Sequence, residues 1–502
     1  MKSIIKITLL SAFLASCQGF LEKEPDSSLN VAIDSEEKIA ELLTGAYPQA
    51  SYFPFLEART DNVAERSGGE HSRLNEVMFF WEDYDQEDLD TPLNYWNACY
   101  AGIAQANKAL ELLAAYPKTN RIKALYGEAF LLRAYLHFML VNIWAEPYGT
   151  ERSRQSPGIP YLTKPEKHAL VDYERSTVAE VYNKIETDLK LGISLVDDNY
   201  YKKPKFHFNK KAAYAFASRF YLMRGEWDLV IEYANYVLGA DPKQTLRKWN
   251  AYERELSFNR RSLFAKYTDT NEAANLLLTT TESRWARNLP REKYGVTRNS
   301  VREIFDRRGV DGCGDPGRNL VFAPFYLFLD SENGIRDGRY IAKFDELSLL
   351  GSTGTRPRDL YVTNVLFTAD EVLLNRMEAY AMLSEYDKSL DDLFDYLRGK
   401  FGINLSCPRD TFTSISNSYY DIYTPFYGLT IKQLALIKIF SDLRQKEFLH
   451  EGLRWFDIRR FYIPVSRDSR SSNYLPLRKE DPRKLLQIPA EAINRGLEAN
   501  PR

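Results

Sequence analysis

The strongest constraint on the fold of this chain is a pair of apolar stripes with helical spacing that meet at Gly225. Apolar residues that recur every three or four positions predict amphipathic helices, each of which buries one face. Small residues on the first stripe permit close approach of the second helix, and glycine permits the sharp turn between them. Asp241-Pro242 closes the unit, because proline cannot continue a helix. The two stripes comprise Ala213, Phe216, Ala217, Phe220 and Tyr221, then Trp227, Val230, Ile231, Ala234, Val237 and Leu238.

Two further helix pairs have the same kind of pattern. One pair is joined by a proline-containing connection at 115–120, in which Asn120 is expected to cap the second helix. The other pair is looser and turns at Ser384-Glu385-Tyr386. All three pairs resemble the tetratricopeptide pattern, which predicts a mainly α fold with a helix-pair scaffold. The stripes are Trp96, Tyr100, Ile103, Asn107 and Leu110; Leu125, Ala129, Leu132, Leu136, Met139 and Ile143; Leu374, Met377 and Ala381; and Leu390, Leu393, Phe394 and Leu397.

The pairs are separated by long segments that have little helical periodicity. The largest of these is rich in Arg, Asn, Gly and Thr and contains a short β-like run at 325–329. Structureless connections of such length are rare in compact domains unless they are functional. We therefore expect residues 17–502 to form a single unit, in which the scaffold carries a large irregular binding lobe of loops and helices with few short strands. The scaffold is expected at about 30–50, 94–144, 176–240 and 369–460, and the irregular lobe at about 52–92 and 243–366.

The first residues resemble a bacterial export signal. Two lysines precede an apolar run that is too short to span a bilayer as a permanent helix, so residues 1–16 are interpreted as a signal peptide. Leu14-Ala15-Ser16-Cys17 resembles a lipobox, whose cysteine is acylated and becomes the first mature residue. The alternative is a chance cysteine after an ordinary signal peptide. Cys17 is therefore predicted to carry a lipid that tethers an otherwise soluble protein to a membrane.

Composition argues against several functions. The chain has 67 basic and 69 acidic residues, so its net charge of -2 gives no general attraction for nucleic acid. Three cysteines remain besides Cys17, an odd number without a CxxC pair, which predicts no disulfide framework. Cys99 lies within a helical pattern and is interpreted as a small buried apolar side chain.

Three chemical motifs have simpler explanations. Residues 312–317 match GxGxxG, but Pro316 and the lack of a βαβ unit favour a turn over a nucleotide site. The acidic run at 82–90 lacks the glycine of an EF-hand loop and is interpreted as a solvated loop. Five histidines without HExxH offer no visible zinc ligands. We predict no catalytic residue, no metal and no cofactor, with an enzyme as the minority alternative because paired carboxylates cannot be recognised without a fold.

Four charged residues near the C-terminus are spaced for a helix face. Arg444, Glu447, Glu451 and Arg454 would share one face if the helix persists through Gly452. Such a ladder could be catalytic, but ion pairs that lock a helix to its neighbours are the favoured interpretation.

Taken together, six motifs resemble the SusD/RagB family of nutrient-binding outer-membrane lipoproteins of Bacteroidetes. The motif that ends in Asp457 and Arg460, together with the closing segment, is specific. The matching residues are Cys17 with Phe20-Leu21-Glu22-Lys23-Glu24-Pro25; Trp96, Tyr100, Ile103 and Asn107; Glu128, Leu132, Arg133, Ala134, Tyr135 and Phe138; Glu371, Leu374, Arg376, Glu378 and Ala379; Glu447, Glu451, Gly452, Arg454, Asp457 and Arg460; and Ile488-Pro489 with Asn500-Pro501.

The resemblance implies four tetratricopeptide-like helix pairs with a less regular binding lobe. It implies a lipid-anchored, surface-exposed protein of the outer membrane that acts as a lid over a SusC-like TonB-dependent transporter. Such proteins capture oligosaccharides, or in some cases peptides, and no catalysis is expected. The rival is a lipid-anchored tetratricopeptide scaffold for protein partners, which would have little use for the long insertion.

Ligand residues vary within the family, so the candidates here come from sugar chemistry. Aromatic faces stack on pyranose rings, and polar side chains at the rim bind hydroxyl groups. Exposed rings of the irregular segments are therefore favoured, whereas Trp96 and Trp455 lie on patterned helices and are expected in the core. The alternative for each candidate is an ordinary half-buried aromatic residue. The predicted ligand-binding residues are Trp81, Tyr84, Trp285, Arg287 and Tyr294.

Substitution of Cys17 by alanine tests the lipid anchor. The Cys17→Ala variant cannot be acylated, so we expect it to leave the membrane fraction while the parent stays there. Membrane fractions are washed with salt and probed by immunoblot, and a Ser16→Ala variant is the control. Firm membrane association of Cys17→Ala after the wash would contradict the prediction.

Overall fold

The computed structural model describes most of the chain and leaves eight segments undescribed. Cys17 with the family-like opening that follows it, the glycine-containing motif at 312–317, and Cys313 and Cys407 lie outside the described residues. Residues Leu42 to Arg502 form one compact unit. The described residues are 33–165, 173–256, 260–305, 328–330, 337–348, 360–403, 408–413 and 421–502.

Helices dominate the described part of the chain, so the predicted mainly α fold with few short strands is confirmed. The α-helices are Glu36–Gly45, Phe53–Glu57, Arg73–Phe79, Pro92–Leu113, Asn120–Trp144, Glu151–Gln155, Val178–Leu195, Lys210–Arg224, Trp227–Leu238, Trp249–Leu256, Arg260–Tyr267, Trp285–Asn288, Arg298–Phe305, Ala369–Met382, Tyr386–Phe401, Ile431–Glu447, Leu453–Arg460 and Ala490–Asn494.

The first helix pair forms as the stripes predict, with one correction at its turn. Pro92–Leu113 packs against Asn120–Trp144. Thr119, not Asn120, caps the second helix, because its hydroxyl accepts a hydrogen bond from the Ile122 backbone N–H at 3.2 Å. Asn120–Trp144 is long and apolar enough to cross a membrane, but 89% of its apolar stretch is buried, which identifies it as a core helix. Cys99 is buried in this core.

The other pairs stack in sequence on this core. Lys210–Arg224 and Trp227–Leu238 are joined at Gly225, whose φ of +75° is the left-handed conformation expected of a glycine at a helix end. Ala369–Met382 packs against Trp227–Leu238 and Tyr386–Phe401. The third predicted pair is thus also a helix pair, and it turns at Ser384.

The insertion contains more regular structure than its sequence predicts. Four of the helices given above fall between 249 and 305, where little helical periodicity was visible. The end of the β-like run at 325–329 is a strand, Phe328–Asp330, paired antiparallel with Arg339–Ile341. Strands Asn275–Glu282, Leu360–Thr368 and Glu346–Ser348 form an antiparallel sheet with Leu360–Thr368 at its centre. A short pair, Ala64–Glu65 with Tyr294–Gly295, joins the first irregular stretch to the insertion.

The C-terminal charged ladder does not lie on one helix. Ile431–Glu447 ends at Phe448, and a second helix starts after Gly452, whose φ is +69°. A Cβ at Gly452 would lie 2.9 Å from the Leu56 Cβ, so the close approach favours glycine there. The interpretation as structural ion pairs is confirmed. Their partners are Arg444 with Asp457 at 3.0 Å, Arg454 with Asp61 at 2.8 Å, Glu451 with Lys343 at 2.6 Å, and Glu447 with Lys400 at 3.1 Å.

A buried ionic network links the insertion to the scaffold. Lys400 pairs with Asp370 and Glu447, and Lys343 pairs with Glu451 and donates to the Glu447 carbonyl oxygen at 2.6 Å. All five side chains are at most 2% exposed. Burial alone would raise the pKa of Glu447, but the cations Lys400, Lys343 and Arg247 together lower it. The carboxylate therefore stays ionised and holds its partners.

Alanine at Leu132 or Phe220 tests the core. Both side chains are fully buried on the scaffold stripes, so each truncation should lower the free energy of unfolding by about 2–5 kcal/mol through lost burial and cavity formation. Urea midpoints give the change. Leu191→Ala, at a side chain that is 42% exposed, is the control and should change the midpoint little. A near-zero effect at both core positions would contradict the assignment.

Candidate functional site

Three of the five predicted ligand residues are buried rather than exposed. Trp81 is 2% exposed, and its indole N–H donates to the Arg59 carbonyl oxygen at 2.9 Å. Trp285 is 3% exposed, and its indole N–H donates to the His450 carbonyl oxygen at 3.1 Å. Tyr294 is also buried. The prediction that these rings are exposed is wrong, because an irregular backbone still buries large rings once their polar atoms find partners.

The other two candidates have different environments. Tyr84 is half-buried. Arg287 is largely exposed and forms a bidentate ion pair with Glu346, in which the Nη2–Oε2 distance is 2.8 Å. Trp285 packs near Phe344, at 6.4 Å between ring centroids. Tyr294 thus belongs to an aromatic cluster that Trp81 contacts through Tyr474, at 5.7 Å between ring centroids, whereas Trp285 and Arg287 have other partners. Ligand contact by any of the five residues stays a prediction.

The aromatic cluster consists of Val63, Phe79 and Tyr294 at its centre, with Phe80 and Tyr474 partly exposed against it. The rings of Phe79 and Tyr294 stack with centroids 4.3 Å apart, and Phe80 meets Tyr294 edge to face at 5.7 Å. Asn75 holds the strand that carries Tyr294, because its side chain bonds both the Tyr294 N–H and the Tyr294 carbonyl oxygen. The cluster therefore joins the first irregular stretch, the insertion and the C-terminal segment.

Two clefts border this cluster. The Trp81 cleft has a volume of about 510 Å³, and the Glu65 cleft has a volume of about 690 Å³. The Trp81 cleft is lined by Arg73, Glu76, Phe80, Trp81, Glu82, Asp83, Ser471, Asn473, Leu475, Arg483 and Arg502. The Glu65 cleft is lined by Ala64, Glu65, Thr297, Arg298, Asn299, Asp337, Asp468, Ser469 and Arg470.

The floor of the Trp81 cleft is built by an unusual turn. Helix Arg73–Phe79 is capped by Ser72 and is followed by Trp81 with a φ of +58°, a conformation that is costly for a tryptophan. The strain is offset by the indole hydrogen bond and by Arg467, whose guanidinium lies 4.0 Å from the ring centroids of both Trp81 and Phe79. The turn presents Phe80 to the cleft.

The rim of the Trp81 cleft is charged, and its charges are paired. Ion pairs at such exposed positions contribute little to stability and leave the side chains able to rearrange around a ligand. The pairs are Arg73 with Glu76 at 2.9 Å, Arg73 with Glu82 at 3.6 Å, Arg483 with Asp481 at 2.8 Å, and Arg502 with Asp83 at 2.5 Å.

The carboxylates of the Glu65 cleft hold its walls together. Glu65 accepts hydrogen bonds from the Arg470 N–H at 2.7 Å and the Ser469 hydroxyl at 3.2 Å, and Lys293 pairs with it at 3.2 Å. Asp337 accepts from the N–H and hydroxyl of Ser67. Burial alone would raise the pKa of both carboxyls, but these donors lower it. The Trp81 cleft differs from the Glu65 cleft by offering apolar surface to a ligand, from the partly exposed Phe80 and the exposed Leu475.

Sequence reasoning missed the contribution of residues 471–483 to the site. Asn473, Leu475 and Arg483 line the Trp81 cleft, and Tyr474 packs on Phe80. A visible signal was present, because a tyrosine and a leucine stand in a polar, serine- and arginine-rich run that follows the last patterned helix. Leu475 is 65% exposed and adds apolar surface to the cleft.

These features define a mainly α protein of tetratricopeptide-like helix pairs with an open, polar cleft beside an aromatic cluster. A family model named SusD-like_3, described as starch-binding and associating with the outer membrane, matches residues 19–222. No curated protein matches the sequence.

Solved structures of the SusD superfamily share the fold. One from Bacteroides thetaiotaomicron VPI-5482 superposes with a TM-score of 0.68 at 18% identity, over 93% of this chain and 100% of its own. A second structure, from Bacteroides vulgatus ATCC 8482, superposes with a TM-score of 0.68 at 18% identity, over 93% of this chain and 99% of its own. A laminarin binding SusD-like protein superposes with a TM-score of 0.60 at 17% identity, over 93% of this chain and 98% of its own. The chain therefore has the SusD-like fold, and its resemblance to the SusD/RagB family is confirmed.

The Glu292→Gln variant tests whether the carboxyl group of Glu292, which bonds Asn75 beside the aromatic cluster, is protonated in the folded protein. Burial raises the pKa of Glu292 from 4.5 to about 8, and its carboxyl group accepts a hydrogen bond from Asn75. The folded protein thus keeps a proton that the unfolded chain releases, so stability falls as pH rises from about 5 to about 8. The Glu292→Gln variant has no carboxyl group to titrate at this position, so it should not show this part of the fall in stability. Its urea midpoint should equal that of the parent near pH 5 and exceed it near pH 9.

The control for this measurement is Glu111→Gln, at an exposed carboxylate that pairs with Lys108. The control should follow the parent at every pH. Parallel pH profiles for Glu292→Gln and the parent would contradict the assignment of a buried, protonated Glu292.

Proposed function

We propose that this protein is a cell-surface lipoprotein that binds oligosaccharides in the Trp81 cleft and delivers them to a SusC-like TonB-dependent transporter of the outer membrane. The observation that carries the proposal is the composition of the cleft. A partly exposed aromatic ring, Phe80, lies beside amide, hydroxyl and charged side chains in an open space of about 510 Å³.

The chemistry of the cleft suits a sugar chain. The face or edge of Phe80 offers apolar contact to the C–H surface of a pyranose ring, and the exposed Leu475 extends that contact. Asn473 and Ser471 supply both hydrogen-bond donors and acceptors, as hydroxyl groups require. The volume lies within the range of about 300–1,000 Å³ typical of small-ligand sites.

The comparisons and the N-terminal sequence support the remaining parts of the proposal. The matching family model is described as starch-binding and associated with the outer membrane, and one structural relative is a laminarin binding protein. Residues 1–17 have the pattern of an export signal with an acylated cysteine. A lipid at Cys17 would hold the cleft at the membrane surface, where a transporter partner could receive the ligand.

The main alternative is a peptide ligand for the same cleft. Arg73, Glu82 and Asp83 at the rim would pair with the termini and charged side chains of a peptide. Under either alternative we propose that the protein binds without catalysis, which is supported by the description of the matching family model as starch-binding. The two ligand classes are separated by the experiment that follows.

Leucine at Phe80 tests the cleft as a glycan site. Phe80→Leu keeps an apolar contact with Tyr294 but removes the ring, so binding should weaken on the order of tenfold, the worth of one stacked ring in an apolar setting. Affinity gel electrophoresis with laminarin, starch and xylan measures the retardation of the purified protein. Reducing-end assays on the same mixtures should detect no hydrolysis.

The matched control is Phe130→Leu, at a half-buried ring that stacks on Tyr126 of helix Asn120–Trp144. This variant should bind as the parent does. Equal binding by parent and Phe80→Leu would place the site elsewhere. Binding of a peptide library but of no polysaccharide would replace the glycan proposal with the peptide alternative, and hydrolysis of any substrate would contradict a purely binding role.

A further inference from the structure

Two buried arginines lie beneath the Trp81 cleft. Arg467 stacks on the rings of Trp81 and Phe79. Arg59 is bonded to two residues that line the cleft, because its carbonyl oxygen accepts from the Trp81 indole and its guanidinium donates to the Arg483 carbonyl oxygen. Arg59 is 1% exposed and Arg467 is 7% exposed. Two guanidinium groups removed from water thus lie behind the residues that line the cleft.

Neither guanidinium has an ion pair with a carboxylate among the residues that the structure describes. Arg467 donates to the carbonyl oxygens of Ala58, Thr60 and Phe79. Arg59 lies 5.0 Å from the centroid of the Trp455 ring and donates to the Met78 sulfur. Within the described part of the chain, the Nε atom of each arginine has no hydrogen-bond partner. Burial lowers the pKa of both groups to about 9, so both remain cationic at neutral pH.

The rim offsets only part of these two charges. Three arginine and three carboxylate side chains line the cleft, and Asp481 pairs with Arg483, so the rim has one net negative charge against the two guanidinium charges. The other carboxylates of the neighbouring acidic run are engaged with groups outside the lining. Asp85 accepts from the Ala490 N–H at 3.2 Å, Glu87 from the Asn97 amide at 3.0 Å, and Asp88 pairs with Arg284 at 2.7 Å.

We infer that the Trp81 cleft selects oligosaccharides that carry anionic groups, either carboxylates or sulfate esters, over neutral chains of the same backbone. The inference rests on the proposed glycan-binding function and names its ligand class. The carboxylates of Asp83 and Asp61 act on these guanidinium groups but compensate their burial only in part, so the groups give a positive potential in a cleft with low-dielectric walls. An anionic group entering the cleft supplies the rest of the counter-charge, whereas a neutral sugar does not.

Matched polysaccharides that differ only in charge provide the test. The probes are laminarin, laminarin oxidised to carboxylates at C6, sulfated laminarin, polygalacturonate and its full methyl ester. The purified full-length protein is titrated with each probe by isothermal calorimetry at low and high salt. A charged member should bind about tenfold more tightly than its neutral counterpart, with the gain reduced by salt. The carboxylated and sulfated probes separate the two kinds of anion.

The outcomes distinguish this inference from the proposed function. Equal or tighter binding of the neutral members overturns the anion preference and leaves glycan binding in place. Binding of none of the five probes, together with no retardation by starch or xylan, overturns both.

Variants of the cleft add an independent readout. Arg467→Met removes the buried charge and should bring the ratio of charged to neutral affinity close to one, whereas Arg467→Lys keeps the charge and should retain the preference. If circular dichroism shows that Arg467→Met does not fold, two variants of the exposed rim provide the test. Arg73→Gln should then lower the ratio and Glu82→Gln should raise it, each about twofold to threefold.

The matched control is Arg154→Gln. Arg154 pairs with a glutamate three residues away, as Arg73 does, but lies outside the cleft. Its ratio should equal that of the parent. Unchanged ratios in both rim variants would overturn the inference.

Discussion

A buried ionic network fixes how the insertion meets the helical scaffold. Lys343 belongs to the insertion, and its ammonium group is held by Glu447 and Glu451 at the end of a scaffold helix. Removal of one partner from such a pair leaves an uncompensated buried charge and costs about 3–5 kcal/mol, although an intact pair need not add stability over apolar residues. The network therefore acts mainly by specifying one arrangement, in which Asp370 and Lys400 tie helices Ala369–Met382 and Tyr386–Phe401 to the same point.

A second buried carboxylate extends this arrangement towards the cleft. Glu57 accepts hydrogen bonds from the N–H groups of His450 and Gly452 at 2.9 and 3.0 Å, and from the Asn62 side chain at 3.0 Å. Burial raises the pKa of Glu57 to about 7, while these donors oppose the rise. The turn around Gly452 is thereby fixed to the segment that leads to Arg59 and the cleft floor. Disturbance of the C-terminal turn should therefore reach the ligand site through backbone hydrogen bonds rather than through direct contact.

The sequence predicted the scaffold well because helix stripes are local. The stripe through Leu132 and the turn at Gly225 need only neighbouring residues to be recognised. Burial of Trp81 and Trp285 could not be predicted in this way, because their hydrogen-bond partners, the carbonyl oxygens of Arg59 and His450, lie 22 and 165 residues away. The break at Gly452 was also hidden, since its cause is the close approach of Leu56 from a distant helix. The resemblance to a known family predicted the fold. It could not locate the cleft, because the ligand residues vary within the family.

The two arginines under the cleft connect stability with specificity. Arg467 is held by cation–π contacts with Phe79 and Trp81 and by carbonyl groups, all of which favour the charged guanidinium without neutralising it. A carboxylate introduced beside Arg467 would offset its charge, at the cost of its own burial, and would cancel the potential that favours an anionic ligand. A cleft that attracts anions must keep some instability in the unliganded state, and ligand binding should raise the unfolding temperature more for charged probes than for neutral ones of equal affinity at high salt.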